Sequence, residues 1–259
     1  LEGDAAGLVL MSNATHTASI IHHTPGVEAT IWRYFPAVSN WHTQQATEWH
    51  MLSSPVMAQP IEGFIPETPS DFYLWSETRN LWINHRNRAD FETENPGPHF
   101  VPGRGYLVAY AQEQLFPFTG EIQVNSVPFG PLTHSATGGG WHLLGNPFAS
   151  GLNWNCVSWD RNGVGSQVHL YDPQRGNYIS HNNGLGDFCG LIPPHRAVFV
   201  KVDAPTDKSA DLQIPSMARM HPDTRENNAK KSLPPQTLRL EVVSEANGLP
   251  DAVYVRALD

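Results

Sequence analysis

Four blocks of this 259-residue chain occur twice in the same order, and that duplication constrains the fold more than any other feature. "WHMLSSPV" (Trp49 to Val56) returns as "WHLLGNPF" (Trp141 to Phe148), 92 positions on. "FYLWSETRNLWINHRN" (Phe72 to Asn87) returns as "VHLYDPQRGNYISHNN" (Val168 to Asn183) at an offset of 96. That offset matches Leu74 with Leu170, Trp75 with Tyr171, Trp82 with Tyr178, Ile83 with Ile179 and His85 with His181. "VPGRGYLVAY" (Val101 to Tyr110) faces "IPPHRAVFVK" (Ile192 to Lys201) at 91, and "EIQV" (Glu121 to Val124) faces "DLQI" (Asp211 to Ile214) at 90. So small a drift implies a duplicated structural unit of roughly 90 residues. The second copy gains residues before its hairpin and loses some after it, which marks both connections as surface loops.

Each copy reads as β. The middle block is an aromatic strand, a polar turn ("SETRN" or "DPQRGN") and a second aromatic strand; in the second copy Pro and Gly supply the turn geometry. "GYLVAY" and "RAVFVKV" are short runs rich in aromatic and β-branched residues. "QPIEGF" and "SGLNWNCVSW" hold the candidate helical turns, and no long segment keeps a 3.6-residue period. The expected fold is all-β: two tandem β-sandwich-like repeats with partial strand segments at both ends. The expected division is an N-terminal strand segment over 1–45 and repeats over 46–130 and 131–218. A linker with the opening strands of a further β domain would follow over 219–259.

Composition narrows the function. Lys and Arg number 16 against 25 Asp and Glu, a formal net charge of −9, which disfavours phosphate backbones as partners. No apolar run reaches the roughly 18 residues of a membrane span. The N-terminus has no signal-peptide pattern, and Leu1 suggests a piece of a longer chain. Two repeats able to bury each other's faces suit a monomer or part of such a chain. Cys156 and Cys189 both fall in the second copy. An even count and an extracellular-looking composition favour a disulfide between them, with two buried thiols as the alternative.

The order "ATIWRYF … EWHMLSSPV … PGRGYLVAY … FTGEIQVN … GGWHLLGNPFASGLNW … IPPHRAVFVKV … LRLEVV" resembles a region of large secreted proteins of Bacteroidetes bacteria. Those are modular, adhesin-like cell-surface chains associated with type IX secretion. The resemblance covers nearly the whole chain, and its most specific part is the "GW-L-GNP" block. It implies an extracellular or outer-surface location and a modular architecture, and brings no catalytic residue.

Motifs for chemistry are scarce: there is no G-x-S-x-G, H-E-x-x-H, Walker loop or C-x-x-C. His50 and His142 occupy equivalent positions, as do His85 and His181, which reads as structural use. "DRNGVGS" offers Asp160, Asn162 and Ser166 as a weak calcium candidate without the closing Glu of an EF-hand loop; no other cofactor is expected. Glu62, Glu67 and Asp71 are close in sequence, but their repeat-two counterparts keep no acid pair, so no hydrolase site is assembled.

Aromatic residues remain. On the argument that a ring present in both copies serves the fold, the unduplicated Trp41, Trp154 and Trp159, with Trp32 in the N-terminal segment, become glycan-binding candidates, against the plainer reading that such rings cap the repeat's core. Asn153 and Asn155 would be the polar neighbours of Trp154 and Trp159. The expectation is a non-enzymatic, structural or adhesive surface module, with a glycan or a host or cell-surface protein as partner. A carbohydrate-binding module attached to a polysaccharide-degrading enzyme is the alternative, and a glycoside hydrolase a further one that no motif supports.

Overall fold

A computed structural model describes residues 7–38, 48–203, 205, 209–222, 237–243 and 250–256. Among them the only α-helix is Arg88–Glu94; the rest is strand, turn and two 3-10 turns. The helix occupies the connection that the second copy shortens. It holds itself to the core through Phe91, which is buried. Of the two expected helical turns, Glu62–Phe64 forms; the other stretch holds the short strand Gly151–Asn153 instead. No described helix is long and apolar enough to cross a membrane.

Two antiparallel sheets share one strand order. In the first, His50–Leu52, Tyr106–Tyr110, Ser70–Ser76 and Leu81–Asn84 lie side by side. In the second, the order is Trp141–Gly145, Ala197–Val202, Val164–Asp172, Asn177–Asn182, with the short Leu185–Gly186 at the far edge. Register agrees as well: Trp75 faces Trp82 as Tyr171 faces Tyr178, and Leu74 faces Ile83 as Leu170 faces Ile179. Leu74 also pairs with Tyr106, and Leu170 with Val198. That pairing sets the last strand's offset at 92 (198 − 106), one more than the sequence match gave. The corrected register aligns Arg104 with Arg196 and Gly103 with His195, and the latter two share a left-handed backbone, at φ 77° and 57°.

The strands before and after each sheet pair with each other. Glu28–Phe35 runs antiparallel to Gln114–Glu121 over eight residue pairs, and Val127–Leu132 runs antiparallel to Ala210–Ile214. Each unit therefore takes its first strand from before the boundary expected by sequence. Ile31 and Phe35 share a core with Leu74, Val108 and Phe118, so residue 45 is not a core boundary. Val127 and Leu132 pack with Val168, Val200 and Ile214, so residue 130 falls inside the second core. The expected boundaries missed this because these opening strands share little sequence with each other. Thr237–Val243 and Pro250–Arg256 pair as a separate two-stranded ladder.

Residues at equivalent positions meet each other where the units join. Ser53 N–H donates to the His195 carbonyl at 3.1 Å, and its equivalent Gly145 donates to the Gly103 carbonyl at 2.8 Å. A Cβ on Gly145 would lie 2.3 Å from Ser53 Oγ, and one on Gly105 would lie 2.5 Å from Cβ of its own equivalent, Ala197. Like positions in mutual contact define a pseudo-two-fold relation, the intramolecular analogue of an isologous dimer contact. At each of these two crossings one partner must be glycine, because the backbones approach too closely for a second side chain.

Candidate aromatic groove

Strand alternation decides which rings enter the core. Along Ser70–Ser76, Phe72 and Leu74 turn into the first core, leaving Tyr73 and Trp75 on the opposite face. Met51 and Leu107 join them on that outer face, while Leu52 and Val108 go inward. The second sheet repeats the arrangement: Val168, Val198 and Val200 go inward, and Trp141, Leu143, Tyr171 and Phe199 outward. The two outer faces meet in a third apolar cluster, centred on Phe199. Phe199 takes edge contacts from Trp75, Trp82, Trp141 and Tyr178 at centroid distances of 5.5 to 6.3 Å.

The equivalent rings pair equivalently. Trp75–Trp82 and Tyr171–Tyr178 are both T-shaped at 5.3 Å, and Trp49–Tyr73 at 5.8 Å has its counterpart in Trp141–His169 at 5.0 Å. The indole N–H of Trp75 donates to the Trp141 carbonyl at 2.8 Å, tying one unit's sheet to the other's.

This packing is incomplete on one side and leaves a groove of about 350 Å³, floored by Met51 and Leu107 and walled by Trp49, Tyr73, Trp82, Tyr171 and Tyr178. Tyr178 is 41% exposed. Burial, then its neighbour Tyr171, pushes the Tyr178 phenol up to about 12. Burial, with Asp172, raises that of Tyr171. Both hydroxyls therefore stay protonated at neutral pH and can donate. Among the described residues no charged side chain lines the groove. It offers flat apolar faces with hydroxyl donors at the edge, which suits stacking and orientation.

The candidates expected from sequence lie elsewhere. Trp154 is 1% exposed and Trp159 is 8% exposed, and they pack on each other at 4.6 Å inside the second core. Their indole N–H groups donate to the carbonyls of Ser166 and Asn153 at 2.7 and 2.8 Å. The expected exposed platform is therefore not formed; these rings fill the core beneath the lengthened connection. The amides are likewise consumed. Asn153 Oδ1 accepts from the Asn155 backbone, and Asn155 bridges the Cys189 carbonyl and the His181 ring. Trp41 lies outside the described residues.

The calcium candidate is also corrected. Asp160–Asn162 is an extended strand paired with Ala210–Ile214, so the chain does not wrap around a point as an ion-binding loop must. Ser166 sits on the following strand, its hydroxyl donating to Asn182 at 2.7 Å. Among the described residues no group of three or more His, Cys, Asp or Glu converges. Cys156 and Cys189 are free and half-buried rather than bridged. Of the acids, Asp71 is tied to Asn84 and Arg86, and Glu62 to Arg88. Glu67 lines a second hollow of about 390 Å³ whose described rings are those of the buried Phe72 and His85.

Duplication does not distinguish core rings from groove rings, because the fold repeats both. The signal was present in the period of two: Trp75 and Tyr171 each follow a core leucine and so must face away from the core. No family model, curated protein or solved structure matches the chain.

Proposed function

We propose that the chain is a non-enzymatic binding module, displayed outside the cell, that holds a carbohydrate in the aromatic groove between its two sheets. The observation that carries this reading is the groove itself: Trp49, Tyr73, Trp82, Tyr171 and Tyr178 around a space of about 350 Å³, lined among the described residues by no ionisable acid or base other than phenols. A pyranose presents an apolar C–H face and a rim of hydroxyls. Indole and phenol rings accept the first and phenolic O–H groups meet the second. The extracellular setting rests on the resemblance to secreted surface proteins and on the Gly-, Pro- and Asn-rich composition.

A second reading takes the same groove as the seat of an apolar side chain from a protein partner. The Met51 and Leu107 floor favours it, since a thioether adapts to varied shapes.

Intrinsic tryptophan emission tests the first reading directly, because Trp49 and Trp82 wall the groove. Titration with a panel of soluble oligosaccharides is expected to give a saturable change with at least one of them. The Trp82→Ala/Tyr178→Ala variant should weaken that binding by about ten-fold or more, as loss of two stacking faces requires. If no oligosaccharide perturbs the emission, the glycan reading fails. Binding unaffected by the double substitution would place the site elsewhere.

A further inference from the structure

The pseudo-two-fold relation builds two polar sites that should be alike and are not. At each, a histidine from one sheet's edge strand (Trp141–Gly145 or His50–Leu52) feels the charge of an arginine that leads into the neighbouring strand of the other sheet (Tyr106–Tyr110 or Ala197–Val202): His142 with Arg104, and His50 with Arg196. At the His142 site the groups are accounted for. The imidazole Nε2 lies 2.8 Å from the Thr133 carbonyl, and Arg104 donates to the Glu94 carbonyl. A carboxylate is present too: Glu77, 5% exposed, whose field reaches His142. It accepts hydrogen bonds from the Thr133 hydroxyl, the Ser135 N–H and the Gly140 N–H at 2.6 to 2.9 Å.

The His50 site has the reverse composition. The residue equivalent to Glu77 is Pro173, 96 positions on, so no acid enters. Instead a second arginine arrives: Arg33, on the core-facing side of Glu28–Phe35. His195 completes the set, brought beside Ser53 by the backbone bond between the units and held in the left-handed region at φ 57°. A non-glycine residue there is strained, and such strain persists where the surroundings require it. His50 is 7% exposed, and His195 and Ser53 are fully buried. Both ring nitrogens of each histidine, Ser53 Oγ and the Nε of each arginine are buried with no hydrogen-bond partner among the described residues. Phe35 lies 5.9 Å from the His50 ring and Phe118 lies 5.7 Å from the His195 ring, giving the site apolar walls.

We propose that Arg33, His50, Ser53, His195 and Arg196 form a buried site for a carboxylate anion. The partners the two arginines do have are neutral: Arg33 donates to the Thr17 hydroxyl at 2.8 Å, and Arg196 to the Tyr171 carbonyl at 3.0 Å. Among the described residues no carboxylate stands within ion-pair distance of either; Asp172, whose field reaches Arg196, is engaged by Arg175 at 3.5 Å. Burial, then the field of Arg196, brings the Arg33 guanidinium down to about 9, so it keeps its charge at neutral pH. A neutral acceptor would satisfy the free Nε–H groups and leave two guanidinium charges uncompensated. An anion satisfies both demands, and charge-assisted bonds to carboxylate are the strong kind. The opposite site supports the carboxylate class, since there the fold supplies one from Glu77. Arg33 and Arg196 are only half-buried as whole residues, which gives the ligand a way in. Because His50 and Met51 point to opposite faces of their strand, this site stands apart from the aromatic groove.

The test uses nitrogen-15 spectra of the arginine Nε–H groups of the whole chain, titrated with acetate and, separately, with glucuronate, chloride holding the ionic strength constant. A saturable shift of the Arg33 and Arg196 signals with both supports a site for the free carboxylate. A shift with glucuronate alone supports an acidic sugar as its source. In Arg196→Met the remaining Arg33 signal should need about ten-fold more ligand, the loss expected for one of two charge-assisted contacts. Signals that do not move in the wild-type chain, or that move without saturating, overturn the proposal whether or not the variant folds.

Discussion

Trp154 and Trp159 pack 4.6 Å apart within the second unit, while Trp75 with Trp82 and Tyr171 with Tyr178 meet edge-on at 5.3 Å on the outer faces of the sheets. The three pairs look interchangeable in a sequence and differ in where their polar atoms go. Both indoles of the first pair spend their N–H on carbonyls of their own unit, under side chains that exclude solvent. Of the outer pairs, Trp82, Tyr171 and Tyr178 line an open groove, while Trp75 spends its indole N–H on the Trp141 carbonyl. What separates a structural ring from an available one is thus strand parity and hydrogen-bond satisfaction; whether the ring occurs in both units says little.

The sharpest way to break that comparison is to remove one ring from each class. Trp154→Ala should cost about 3–5 kcal/mol, as large buried aromatics do when truncated to alanine. Trp82→Ala, on the groove, should cost less than half as much while lowering ligand binding. Urea unfolding midpoints of the two variants check the order. If Trp82→Ala proved the more destabilising, the groove would be part of the core rather than a site.

Much of the architecture was legible in the sequence because strand registers follow side-chain alternation. The hairpin positions matched at an offset of 96 make the same cross-strand pairs in both sheets, Trp75 with Trp82 and Tyr171 with Tyr178. Three kinds of information were not legible. Glu28–Phe35 and Val127–Leu132 belong to their units by pairing across the whole length of each unit, which no local pattern encodes. Arg33, His50 and His195 converge through long-range contacts between units, although 162 positions (195 − 33) separate the first and last. Trp154 and Trp159 carry amide-rich flanks that mimic a surface platform, and only burial reveals the difference.

The unlike ends of the pseudo-two-fold make a second contrast, visible as a dependence on pH. Burial and then the charges of Arg196 and Arg33 hold His50 near 3; burial and then Arg33 do the same for His195. In the folded chain these rings stay neutral down to about that pH, whereas the unfolded chain protonates them below about 6.5. The unfolded state then binds more protons throughout the interval, so stability is full above 6.5 and falls as the pH drops, by about 1.4 kcal/mol per pH unit for each histidine. His50→Phe should remove one such increment from the slope measured by urea unfolding between pH 6 and about 4. At the other end, burial raises the Glu77 carboxyl but the hydrogen bonds from Thr133, Gly140 and Ser135 outweigh it and hold it below the usual carboxylate range. Its contribution is therefore present above about 4.3 and is lost only as the pH falls further, through the folded value. A slope unchanged by His50→Phe would mean that the ring is not held neutral, and the contrast between the ends would weaken.

The smallest expected effect concerns a difference in composition between the units, since only the second carries cysteine. Cys156 packs at the edge of the second core, its sulfur 3.0 Å from the Ser158 hydroxyl, and Cys189 is half-buried. With both thiols free, Cys156→Ser/Cys189→Ser removes no covalent link, and a change of about 1 kcal/mol or less is expected for replacing two partly buried thiols by hydroxyls. A bridge closing this loop would instead contribute on the order of 3–4 kcal/mol, a gap wide enough for one denaturation curve to resolve. Thiol titration of the unreduced chain gives the same answer independently, with two reactive groups expected after unfolding. Were the pair found oxidised, the second unit would owe part of its stability to a constraint that the first lacks. Trp159, enclosed by that loop, would then be held in the core by the chain as well as by its own packing.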